Sequence, residues 1–356
     1  MPQQAVCLKI PKRYGEEILA LANKLAITNK EMEIQRNEKS IYLPLLREPS
    51  SDVLQTLKKQ APELEVSTHV FPEREKRETS PADLLAGKLP ADLLSSLPHS
   101  ADLVGDIAIV EIPPELGAHG KTAGEAILKA NKNVRTVLGK AGAISGTYRV
   151  RSYDVLAGEP KTETVHKEYG CQYYVDVAKA YFSPRLSNEH NRVATLVKEG
   201  ETVVDLFAGV GPFAIRIAKT HENIKVYAID VNPDAVEYLR RNIRLNRVEG
   251  KAHAILGDAR QIVNGRLAGC ADRVIMNLPE KAMDFVDVAC AAIRPSGGTV
   301  HFYGFVNTSE PLESIKLHFT EAVEKHGRRV DNAISSRLVR ATAPYEWQAV
   351  LDASIS

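Results

Sequence analysis

VVDLFAGVGPFAIRIA, residues 203–218, carries the sharpest local signal in the chain. Val203 and Val204 begin an apolar strand that ends on Asp205, a turn holds Gly209 and Gly211, and Pro212 opens a helix. Glycines let a backbone take φ > 0 and pass close to a ligand. The dinucleotide fingerprint asks for a third glycine three residues on, where this chain has Ala214. The Asp205 carboxylate ahead of the turn also repels a pyrophosphate. A ligand with a cationic amino-acid end suits this loop better.

The neighbouring stretches extend the pattern. TVVDLF, KVYAID, AHAIL, RVIMN, GTVHFYGF and EWQAVLD read as strands, separated by helical stretches such as PFAIRIAKTH and NPDAVEYLRRNIRLN. That alternation predicts a doubly wound, mostly parallel sheet over residues 181–356. KVYAID ends in Asp230, a carboxylate able to accept two hydrogen bonds from a ribose diol. Asn232 and Pro233 then suit the N-cap and first position of a helix. LGDAR places Asp258 where it can accept from an adenine amino group. Three acids at three successive strand ends, beside a glycine turn, describe a pocket for S-adenosyl-L-methionine. RVIMNLPE ends a fourth strand in Asn277, an amide able to donate and accept, with Pro279 stiffening the turn.

Residues 1–71 read as a small α/β module: VCLKI, EEILALANKL, SIYLPL, DVLQTLKKQ and ELEVSTHV. FPEREKRETSPAD is charged, aperiodic and proline-bearing, and places a linker at 72–83. Residues 84–180 form a second block of α+β character, with ADLVGDIAIVEI a strand, GKTAGEAILKAN a helix and TVHKEYGCQYYVDV an alternating antiparallel pattern. Between Lys121 and Gly170 lie nine Lys or Arg against five Asp or Glu, among them Lys132, Arg135, Arg149 and Arg151. The formal net charge of +1 hides this basic stretch, which suits phosphates or a solvated face.

A chain of 356 residues predicts two or three domains, and 44% hydrophobic with 26% charged residues is ordinary for a soluble protein. No apolar run reaches the roughly 18 residues of a membrane span, and MPQQAVCLKIPKRYGEE is not a secretory leader. The expected compartment is the cytoplasm. Cys7, Cys171, Cys270 and Cys290 have no metal-ligand spacing, so small core residues are expected, and no metal.

DLFAGVG, YAID, GDA and NLP resemble the class I methyltransferases. YRVRSYDVLAG, TVHKEYG and YFSPRLSNEHNRVA resemble the archaeal and eukaryotic tRNA (guanine-37 N1)-methyltransferases, and CLKI with IYLPL is similar to that family's first domain. The resemblance implies a Rossmann-like class I methyltransferase domain behind a small N-terminal α/β domain and a middle α+β RNA-recognition domain. It implies tRNA as the partner and monomeric action. The expected cofactor set is Asp205, Phe207, Gly209, Gly211, Asp230, Val231, Asp258, Ala259 and Asn277, with His190 standing where the family has arginine.

Guanine N1 carries a proton at neutral pH, so transfer to it requires a base and a donor for charge growing on O6. Glu189, at a helix start beside the cofactor strand, is the candidate base; the family's catalytic glutamate lies in the same motif. Arg149 is the candidate O6 donor by the same likeness, with Arg151, two residues on and expected on the same strand face, as an alternative. Tyr181 resembles the tyrosine beside the methyl group, and Arg185 either binds tRNA phosphate or orders its loop. Three other readings stay open: a wyosine-pathway relative (3-amino-3-carboxypropyl transfer or methylation of a wyosine intermediate), an exocyclic-amine methyltransferase, and a tRNA-binding module without activity. Glu280 stands where the exocyclic enzymes place a stacking aromatic, and residues 1–71 favour N1 transfer.

Overall fold

The computed structural model describes residues 2–73, 80–98, 100–142, 146–307 and 312–356, with the backbone alone for 332–334. Two compact units span residues 1–79 and 80–356. Half of the expected linker, at 74–79, lies outside the described residues.

The first unit is a four-stranded antiparallel sheet in the spatial order Gln35–Arg36, Ser40–Pro44, Gln3–Pro11, Glu65–Phe71. Helices Gly15–Lys24 and Ser51–Gln60 present Ile18 and Leu57 to Leu8, Ile10, Leu43 and Leu64. Every strand and helix read from the sequence here is present.

The second unit opens with short helices Pro81–Leu85 and Ala91–Ser95, followed by a mixed sheet of Asp102–Val104, Ile107–Val110, Thr136–Lys140 and Tyr153–Gly158. The single strand expected over ADLVGDIAIVEI is a hairpin turning at Gly105 (φ +56°). Its central pair is parallel and joined through helix Gly120–Ala130.

The larger sheet has seven strands: β1 Thr202–Asp205, β2 Lys225–Asp230, β3 Ala252–Leu256, β4 Arg273–Met276, β5 Gly298–Asn307, β6 Val330–Ala343 and β7 Glu346–Ile355. Their order is β3-β2-β1-β4-β5-β7-β6, with β1 to β5 parallel and β7 antiparallel to both neighbours. Alternate side chains feed cores on the two faces: Val204 and Val274 on one, Val203 and Ile275 on the other. Two-sided burial is why these strands read as continuous apolar runs.

Helices α1 Ser187–Leu196, α2 Pro212–Thr220 and α3 Pro233–Asn246 flank this sheet. α3 starts as its sequence requires: the Asn232 side chain accepts from the Asp234 and Ala235 amides, and Pro233 follows. The hairpin Glu163–Glu168 and Cys171–Asp176 sits on α3. Asn242 bonds both backbone groups of Tyr174, and Asn246 those of Gln172, at 2.6–2.9 Å. Two amides one turn apart thus act as a substitute strand for the hairpin edge. This holds residues 163–176, read as part of the middle block, against the parallel sheet.

Candidate active site

In an open parallel sheet, ligands bind beyond the carboxyl ends of the strands where the order reverses. Here that point lies between β1 and β4. A cavity of about 370 Å³ opens there, within the range of cofactor sites. Of the residues expected at the cofactor, Phe207, Gly209, Asp230, Val231, Asp258, Ala259 and Asn277 line it. Arg149 and Tyr181 line it as well.

The Asp230 carboxylate holds the glycine turn in place. Its Oδ2 accepts from the Gly209 amide at 2.7 Å and its Oδ1 from the Asn232 amide at 2.8 Å. Each oxygen keeps a lone pair for a ligand hydroxyl. Asp258 caps the short helix Ala259–Ile262, accepting from the Arg260 and Gln261 amides. Phe207 and Phe285 meet edge to face at 5.0 Å and form the apolar wall.

Three expected cofactor residues do not line the cavity. Gly211 caps α2 at φ +95°, and a Cβ there would stand 2.3 Å from Leu239 Cδ1. Its role is close packing of turn against helix. His190 is buried, its Nδ1 2.7 Å from Glu168 Oε1 and its ring edge-on to Phe213 at 4.6 Å. One step along α1 from Glu189, it points into the packing between the hairpin and α2. Asp205 is fully buried behind the turn; its Oδ1 accepts from the Phe207 amide at 3.3 Å, and its Oδ2 has no partner among the described residues.

Burial, with Asp230 nearby, pushes the Asp205 carboxyl up to about 7, against the lowering effect of the Phe207 amide. Glu168 shows the opposite balance: burial opposes ionisation, but hydrogen bonds from His166 and His190 prevail and hold it at about 2. Asp352 is also buried, yet His301 and Arg192 hold it well below the usual carboxylate range. These shifts set a pH optimum for stability. A raised acid such as Asp205 stabilises fully below about pH 4 and loses about 4 kcal/mol as pH rises through 7. A depressed acid such as Glu168 stabilises above about pH 4.5 and loses about 3 kcal/mol as pH falls toward 2. Unfolding midpoints of the ligand-free chain should therefore peak between about pH 4 and 4.5 and fall toward pH 7, where an ordinary carboxylate balance would be flat.

Glu189 is 2% exposed and does not line the cavity. Its Oε1 accepts from Arg192 Nε (3.0 Å), Arg192 Nη2 (2.6 Å) and the Tyr303 hydroxyl (2.7 Å). Its Oε2 accepts from Arg337 of β6. Arg192 is fixed in turn by Asp352, which His301 and Ser335 also bond. Arg337 is looser, with a side chain 43% exposed and a buried Nε that has no acceptor among the described residues.

YRVR is not in the strand expected for it. Residues 146–149 form a turn, Arg149 has φ +54°, and the strand starts at Tyr153. The left-handed residue breaks the shared face proposed for Arg149 and Arg151, and Arg149 alone lines the cavity. Its guanidinium pairs with Glu280 at 2.5 Å and lies 5.6 Å from the centre of the Tyr181 ring. Arg185 bonds Asp102 at 2.5 Å, ordering its loop. Lys132 and Arg135 are exposed on the middle block and do not line the cavity. Cys7, Cys171 and Cys290 are buried and Cys270 half-buried, all as free thiols.

Two cavity residues have no motif in the sequence. Arg340 of β6 donates to Tyr181 Oη (3.0 Å), Ser183 Oγ (3.1 Å) and Gln348 Oε1 (2.9 Å), and Gln348 of β7 donates to Asn277 Oδ1 (3.0 Å). Only a rule that this strand order adds a late hairpin beside β5 would have pointed to them.

Residues 164–331 match the TRM5/TYW2 methyltransferase domain, 82–162 the TYW2 N-terminal domain and 7–53 the tRNA methyltransferase 5 N-terminal domain. The chain is 36% identical over 351 residues to the tRNA (guanine(37)-N(1))-methyltransferase Trm5b of Pyrococcus abyssi, with 99% of each chain covered. It is 36% identical over 256 residues to the tRNA 4-demethylwyosine(37)-methyltransferase Taw21 of Saccharolobus solfataricus, covering 70% of this chain and 92% of that one. The crystal structure of the P. abyssi Trm5b superposes with a TM-score of 0.77 over 99% of both chains. A complex of aTrm5 with tRNALeu gives 0.68 at 34% identity, covering 99% of this chain and 100% of that one. Pyrococcus horikoshii TYW2 with MeSAdo gives 0.66 at 29% identity, covering 77% and 97%.

Proposed function

The chain belongs to the TRM5/TYW2 methyltransferase family, and on that premise we propose that it methylates N1 of guanosine 37 in tRNA, using S-adenosylmethionine. The observation that carries this reading is one cavity lined by two unlike sets of residues. The glycine turn, Asp230 and Asp258 form one set, and Arg149, Tyr181 and Asn277 form the other. The full-length match to Trm5b, against 70% coverage for Taw21, favours N1 transfer over wyosine chemistry.

The first set fits the cofactor. Asp230 retains lone pairs for a ribose diol, and Phe207 and Phe285 offer apolar surface to an adenine. The bound cofactor supplies a methyl group already activated as a sulfonium. The remaining chemistry is positioning and proton handling.

Arg149 donates to guanine O6, exchanging Glu280 for the oxygen on which charge grows. Glu280 is half-exposed, so the pair it gives up contributes at most about 1 kcal/mol. Withdrawal of Arg337 opens Glu189 Oε2 to the cavity, where it takes the N1 proton, while Arg192 and Tyr303 keep Oε1 in place. Asn277 orients the base, and Tyr181 stacks beside it. Residues 1–71 and the basic face of 84–180 hold the tRNA through its backbone and shape, and the guanine is extruded into the cavity. The enzyme acts as a monomer in the cytoplasm; among the described residues no helix is long and apolar enough to cross a membrane.

Mass spectrometry of unmodified tRNA after incubation with enzyme and cofactor tests the assignment. A single methyl on N1 of guanosine 37 is expected. Methyl on an exocyclic nitrogen, or a carboxypropyl group on the base, would overturn it.

A further inference from the structure

We infer that Arg340 and Gln348 fix the polarity of the Asn277 amide, so that its Nδ2 hydrogens face the substrate and select a purine carrying an oxygen at position 6. The inference rests on the reading that Asn277 meets the target base. It starts from the one group in the chain of contacts whose polarity is beyond doubt. A guanidinium donates and never accepts. Arg340 is held at both terminal nitrogens, by Tyr181 Oη at 3.0 Å and Ser183 Oγ at 3.1 Å, so its Nε points one way, at Gln348, 2.9 Å off.

The Gln348 atom in that contact must therefore be its oxygen. The other end of the same amide is an NH2 group, which only donates. It lies 3.0 Å from Asn277, so the Asn277 atom there must be Oδ1. Gln348 is 1% exposed and paired directly across the hairpin with Arg340, leaving its amide little freedom to turn. Asn277 Nδ2, with no acceptor among the described residues, is the end left for the ligand. Each link fixes the next, although amide ends are otherwise interchangeable in shape.

Beside N1, guanine carries O6 as an acceptor, and adenine carries an amino donor at the same place. A fixed donor matches the first and meets the second donor to donor. Arg149 and Asn277 can share the two lone pairs of O6, and Asn277 keeps its preference without ionising. Gln348 and Arg340 are positioning residues here; they act on the base through Asn277.

The test is Gln348→Glu in the full-length enzyme. The substituted carboxylate still pairs with Arg340 but presents an acceptor to Asn277, which then turns its own oxygen toward the base. Single-turnover methylation of guanosine-37 tRNA at saturating cofactor should fall about 10²-fold, as for loss of one oriented donor. Calorimetric affinity for S-adenosylmethionine should stay within about threefold. In an Asn277→Ala background, itself slow, Gln348→Glu should cost less than about threefold more, since residues acting through one contact are not additive. Gln348→Met, which adds no charge and frees the amide to turn, should give a smaller loss with the same non-additivity, and serves if the carboxylate impairs folding. An unchanged rate, a loss that adds fully to Asn277→Ala, or a loss of cofactor affinity alone would overturn the inference. A fast Asn277→Ala enzyme would instead overturn the placement of Asn277 at the base.

Discussion

Glu189→Gln is expected to slow single-turnover methyl transfer by about 10²- to 10⁴-fold, the usual contribution of a positioned base. Glutamine has nearly the same shape, and its oxygen can still accept from Arg192 and Tyr303 on the Oε1 side. What it lacks is a lone pair on the second atom, where an NH2 group would face the Arg337 guanidinium and could take no proton. Cofactor affinity should hold, because Glu189 lines no part of the cavity. Quench-flow measurement of the rate, with calorimetry of the cofactor, separates the two. Equal loss of both would reassign Glu189 to structure. Arg337→Ala provides the control. If the Arg337 contact must open before proton transfer, its removal leaves turnover largely intact. Arg192→Ala, by contrast, strands Asp352 as well as Glu189 and should cost both stability and activity.

The second large effect is expected at Arg149, where alanine should lower kcat by about 10²- to 10³-fold, as for removal of a donor to a developing anion. Arg149→Lys should recover only part, because a lysine cannot reproduce the planar fork. The backbone allows a sharper control. Arg149 sits at φ +54°, where a non-glycine residue carries about 1 kcal/mol or more of strain. Arg149→Gly should therefore match or exceed the parent in urea unfolding while being as slow as Arg149→Ala. A loss of stability in the glycine variant would show that Arg149 mainly supports the fold through Glu280 and Tyr181.

Strand ends were the most readable part of this molecule. Asp230, Asp258 and Asn277 each follow an apolar run, and an apolar run buried on both faces leaves its first polar residue at the rim of the sheet. Gly211 lies off the cavity, and a glycine needed for close packing and one needed for ligand approach look alike in sequence. His190, expected at the cofactor by resemblance alone, also lies off it, since adjacent helical residues point about 100° apart and it faces away from Glu189. β6 went unread for a different reason. Its pairing with β7 carries four register shifts, and each β-bulge breaks the alternation by which a strand is recognised. Arg337 and Arg340 were hidden with it, and Gln348 had no motif to mark it even though EWQAVLD was read as a strand. The cavity's other lining residues include positions 149, 181, 277, 340 and 348, which only the tertiary fold brings together.

That division matters to anyone seeking a selective ligand. A compound confined to the glycine turn and Asp230 would meet features that recur wherever the same cofactor is bound. One that grew past Asn277 to engage Arg340 and Gln348 would be judged by a hairpin whose arginine offers only donors. An anionic or carbonyl-bearing extension there would gain both affinity and discrimination, and a cationic one would be refused.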